Sequence, residues 1–171
     1  MANPIEGLKL SSSHLQAIGE VASEWSALEF SFQCAMSMVS KVPFDTIVAF
    51  TAPSPMHIWI DILENLLQLK PLKPELLEKL RTLDKRIRKA QKDRNTIVHA
   101  VWSQQFALDL GKELLDACDM AYGVGFPKKI KDGLIKQFSY TSEQMQAVAK
   151  EIRDLADEFR SVFWEKEKAG D

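Results

Sequence analysis

The residues best suited to chemistry lie together near the middle of the chain, in Asp93-Arg94-Asn95-Thr96-Ile97-Val98-His99-Ala100-Val101-Trp102. An imidazole can exchange a proton at neutral pH, and a guanidinium offers planar, bidentate positive charge to a phosphate or a carboxylate. At about 100° per residue on a helix, Asn95 and His99 lie about 40° apart, and Arg94 and His99 about 140° apart. Asn95 and His99 then share a face with Arg88, Lys92 and Trp102, while Arg94 points into the apolar stripe of the same helix. Residues 79–94 hold eight basic and two acidic side chains, with Lys85, Arg88 and Lys92 lying off that stripe. Such a run is either a solvated helix face or a stripe that attracts phosphate.

Other chemistries leave no trace. There is no phosphate-binding glycine loop, nucleophile elbow, dinucleotide fingerprint or zinc-protease helix motif. The three histidines, His14, His57 and His99, fall on different expected helices with no ligand-spaced partner, so no metal site and no cofactor are expected. His14 and His57 read as surface residues. Cys34 and Cys118 lie in apolar, helix-like stretches and read as buried free thiols.

Helical periodicity must supply the scaffold. Ser11, Ser12 and Ser13 offer caps to a first helix that runs to about Lys41, with a stripe of Leu15, Ile18, Ala22, Trp25, Glu29, Phe32, Met36 and Val39. A short helical turn is expected over 45–50, and a helix from Pro55 to about Leu69. The next helix runs from about Pro74 to Val101 on Leu76, Leu80, Leu83, Ile87, Ala90, Arg94, Ile97 and Val101. Glu29 and Arg94 are each the lone charge in an apolar stripe, and a buried charge demands a partner, so the two are expected to form an ion pair. Leu110, Leu114, Cys118 and Ala121 suggest a shorter helix, and Asp132-Gly133 a hairpin turn between two short strands. Thr141 with Gln144 spells a capping box before a last helix on Met145, Val148, Ile152, Leu155, Phe159 and Val162, ending near Lys166. The expected fold is all-α, an antiparallel bundle of four to five helices in a single domain over 1–171, with room for a small β-hairpin near 130–140.

Composition agrees. Of 171 residues 46% are hydrophobic and 27% charged, and nine Phe and four Trp argue against disorder. Seven Gly and seven Pro are too few for an all-β chain with many turns. The longest uncharged stretch, 46–60, carries Pro53 and Pro55 and falls short of the ~20 apolar residues of a membrane span. No secretory signal is read at the start, and a cytoplasmic location without membrane attachment is expected. Phe30, Trp59, Trp102 and Trp164 fall off the core stripes, an excess that a homodimer would bury.

Arg94, the polar Asn95 and His99 after four intervening residues resemble the R-x4-H motif of HEPN domains. The order of elements is similar too: a long first helix, the motif late in a long central helix, and a terminal helix after an irregular stretch. The resemblance implies an all-α dimer in which Arg94 and His99, with Asn95, form a metal-independent ribonuclease site at the dimer cleft. It implies RNA as substrate, with Lys85, Arg88, Lys92 and Trp102 as nucleic-acid contacts. A role as a toxin or phage-defence effector follows, with an antitoxin or other protein as partner. The alternative is a catalytically inactive HEPN-like binding or dimerisation module. Two departures stand out: Ala100 occupies a position where many relatives carry Gly, and Val101 one where a toxin subgroup carries Tyr.

Overall fold

The computed structural model describes residues 10–69, 74–103, 121–125 and 136–164, with side-chain detail for all of these except 74, 103, 122–125 and 136–138. The elements are helices α1 (Ser12–Ser40), α2 (Phe44–Thr51), α3 (Met56–Gln68) and α4 (Pro74–His99), strands β1 (Val101–Ser103), β2 (Ala121–Gly125) and β3 (Lys136–Tyr140), and helix α5 (Ser142–Trp164). The fold is that of a helical bundle, carrying one small antiparallel sheet in the order β1-β2-β3.

Local chemistry sets the helix ends. Ser11 caps α1: its Oγ accepts the His14 N–H at 3.4 Å and its carbonyl the Leu15 N–H at 3.1 Å. Beyond Ser40, Lys41 turns into the left-handed region at φ 61° and donates its N–H to Ser37 O at 2.8 Å, ahead of Pro43. The capping box of α5 is complete: Thr141 N–H donates to Gln144 Oε1 at 2.9 Å, and Gln144 N–H to Thr141 Oγ1 at 3.1 Å.

Contacts group the chain into two compact units, Met1–Ala22 with Asp93–Ala149, and Ser23–Lys92 with Lys150–Asp171. In the second unit, Phe32 of α1 stacks on Phe159 of α5 with ring centroids 4.0 Å apart, both fully buried. Arg153 of α5 reaches Glu24 of α1 at 2.7 Å, so the two helices run parallel there. Arg86 of α4 holds both Glu151 and Glu158 of α5. Arg88 and Arg81 of α4 meet Asp61 and Glu64 of α3 in antiparallel order. Trp59 donates its indole N–H to Thr51 O at 3.1 Å, tying α3 to α2.

In the first unit the sheet is built by Trp102 opposite Gly123, and Gly123 opposite Phe138. Two expectations are corrected here. The α4 helix stops at His99 and Val101 enters β1, because β-branched Val101 and aromatic Trp102 suit a pleated pairing. Ala121, expected on a helix, begins β2. β3 pairs with β2, residues 121–125. Leu110, Gly111, Leu114, Cys118 and the Asp132-Gly133 turn lie outside the described residues, as does Lys166.

The stripe of α1 is also corrected at its start. Leu15 is 60% exposed, while His14, Ala17, Val21, Trp25, Leu28 and Phe32 are buried. The phase lies one residue earlier, with the polar His14 occupying a core position. Trp59 and Trp102 are buried within the chain, so they do not form the apolar surplus expected of them; Phe30 is exposed and meets Phe44 edge-on at 5.5 Å.

Candidate active site

The last turn and a half of α4 brings the motif together. Arg94 is half-buried, Asn95 and His99 are exposed. The guanidinium Nη1 of Arg94 donates to Asn95 Oδ1 at 3.0 Å and lies 3.0 Å from His99 Nε2. A helical wheel separates Arg94 from His99 by most of a half-turn, but the long arginine side chain carries Nη1 to His99 while Nε stays buried. A guanidinium can only donate, so His99 Nε2 accepts, and the neutral ring carries its proton on Nδ1. The cluster thus presents a cation, an amide and a titratable imidazole within one hydrogen-bonded group.

Behind it lies a second set of polar contacts in the same unit. His14 is fully buried, with Nδ1 2.7 Å from Ser11 Oγ and Nε2 3.4 Å from the Tyr140 carbonyl. It is not the surface residue expected from sequence; Ser11 three positions before it, and the 3–4 spacing to Ala17 and Val21, were the signals. The Tyr140 hydroxyl is pushed up from its ordinary range, first by burial and then by the charge of Asp93. Trp102 meets Tyr140 edge-on at 5.8 Å and gives its indole N–H to Ile97 O at 2.7 Å. At 7% exposure it is a core side chain, with little surface left for the nucleic-acid contact the resemblance implied.

The remaining candidates lie in the other unit. Arg88 is held by Asp84 Oδ1 at 2.6 Å and Asp61 Oδ1 at 3.1 Å, which neutralises much of its charge locally. Lys85 and Lys92 are exposed. The two residues of the expected ion pair fall in different units: Glu29 accepts the Trp25 indole N–H at 2.7 Å, and Arg94 makes the contacts above. His57 is half-buried, and burial pushes the Cys34 thiol up from its ordinary range. Among the described residues no group of three His, Cys, Asp or Glu side chains is placed to hold a metal ion, and no helix is long and apolar enough to cross a membrane. Compared with known protein families, curated proteins and solved structures, the chain matches none.

Proposed function

We propose that the protein is a metal-independent endoribonuclease of the HEPN type, acting as a toxin or phage-defence effector and working as a homodimer. One observation carries the reading: a single arginine head joins Asn95 and His99, each at 3.0 Å, on an exposed helix end. Cleavage of RNA by its own 2′-hydroxyl needs three services. A base takes the 2′-OH proton as O2′ attacks phosphorus, a cation stabilises the charge gathering on the non-bridging oxygens, and an acid gives a proton to the departing O5′. His99 supplies proton transfer, Arg94 supplies the cation, and Asn95 holds the guanidinium. The products are a 2′,3′-cyclic phosphate and a 5′-hydroxyl. One chain has one such histidine, so a second copy's His99 serves as the partner acid or base. Lys85 and Lys92 are the proposed backbone contacts to RNA.

The second reading is a catalytically inactive HEPN-like module that binds a protein partner such as an antitoxin. Arg88 favours it, because a guanidinium committed to Asp61 and Asp84 offers little to a phosphate.

The test is incubation of purified protein with mixed RNA in EDTA. Cleavage leaving 2′,3′-cyclic phosphate ends is expected. His99→Ala should keep stability within about 0.5 kcal/mol, since the residue is exposed, and should lose about 10²- to 10⁴-fold in rate. Arg94→Ala should lower both activity and stability. No cleavage by wild type, or equal cleavage by His99→Ala, hands the case to the binding module.

A further inference from the structure

We propose that Trp102 is a positioning residue for the Arg94–Asn95–His99 cluster, holding the last turn of α4 through its indole N–H; its kinetic consequence rests on the ribonuclease reading above. The last carbonyls of a helix have no partner within it, and a helix end without caps frays. Here Thr96 O is taken by the Ala100 N–H at 3.2 Å. Ile97 O is taken by a side chain from beyond the helix, the Trp102 indole at 2.7 Å. Asn95 and His99 flank that carbonyl on the same turn, so the hydrogen bond fixes the backbone that presents them.

Trp102 can act this way because it cannot move. Its backbone is locked in β1 opposite Gly123 of β2, and β2 is paired in turn with β3. Its ring lies edge-on to Tyr140, at 85° between planes, and is buried. Tyr140 is the last residue of β3, and its carbonyl faces the Nε2 of buried His14 at 3.4 Å, which ties it to the first turn of α1. The sheet works as a clamp on the end of α4, with Trp102 as its jaw. Loosening it leaves Arg94 and His99 in the chain but frees the turn on which their 3.0 Å contact depends.

The experiment compares Trp102→Phe with Trp59→Phe, a matched control. Trp59 is also buried, also gives its indole N–H to a backbone carbonyl, and lies in the other unit. Two quantities are read: the ¹⁵N signature of the His99 ring by NMR, assigned with His99→Gln, and kcat and KM on RNA. Wild type should show the Nδ1–H tautomer at His99. Trp102→Phe should lose that bias and drop kcat by about 10²-fold at unchanged KM, the scale of a misplacement near 1 Å. Trp59→Phe should leave both readouts intact while lowering thermal stability. A Trp102→Phe protein that keeps the His99 signature and kcat overturns the proposal. If wild type cleaves no RNA, the ribonuclease reading fails alone, and the His99 signature still decides the positioning. If Trp102→Phe does not fold, exchange of the Trp102 indole proton in wild type decides: slow exchange supports the hydrogen bond to Ile97 O, and exchange as fast as in a free indole overturns it.

Discussion

His99 and His14 sit in one unit, and their hydrogen bonds call for opposite tautomers of the neutral ring. Arg94 can only donate to His99 Nε2, whereas the Tyr140 carbonyl can only accept from His14 Nε2. The exposed ring gives Nε2 to Arg94. The buried ring engages both nitrogens, Nδ1 with Ser11 at the cap of its own helix and Nε2 with the Tyr140 carbonyl at the end of β3. Tyr140 beside it makes a pH-dependent contribution whose sign is fixed. Burial and Asp93 raise its hydroxyl above the ordinary value near 10, so the folded chain holds that proton more tightly than the unfolded one. The stability gained is whole below about 10 and is lost as pH rises through the raised value. Tyr140→Phe should therefore flatten the alkaline limb of a thermal-melting series against pH; superimposable limbs for the two proteins would sink this.

At the scale of elements, the Phe32–Phe159 stack is the joint between α1 and α5 in the second unit. Both rings are fully enclosed, so Phe159→Ala removes a large apolar group and leaves a cavity that close-packed neighbours fill only in part. A loss of about 3–5 kcal/mol in urea unfolding is expected; a loss under about 1 kcal/mol would mean that the joint is not what the packing indicates. Helices of this kind were readable from sequence because their signals are local. The Thr141–Gln144 box and the 3–4 spacing of Met145, Val148, Ile152, Leu155 and Phe159 need nothing from afar. The sheet was not readable, because strand pairing joins Val101 to Val124 across a long stretch of chain, and Ala121 happened to continue a helical spacing from Leu110. In α1, counting only apolar residues passed over His14 and put the stripe on Leu15. The motif was legible as spacing, but the reach of Arg94 to His99 was not, since a wheel places Cα positions and not guanidinium heads. Nothing in the sequence points from Trp102 back to the Ile97 carbonyl.

For the whole molecule, the proposed dimer makes a direct demand on mass. Phe50 and Leu69 are 74% and 84% exposed, and Phe30, Ile58 and Ile62 add to the apolar surface of the same unit. Apolar surface of this kind is what an interface between copies would cover. A light-scattering mass at micromolar concentration should be twice 19.4 kDa; a species of 19.4 kDa alone would remove the second histidine from the proposed chemistry and with it the two-copy mechanism. The small sheet has a further consequence. The spacing between Trp102 and Ile97 rests on strand register, Trp102 opposite Gly123, and on the indole hydrogen bond. A slip of β1 by one residue against β2 would therefore turn Trp102 to the other face of the sheet and strip Ile97 O of its donor, so the turn that presents His99 answers to substitutions in strands remote from it in sequence.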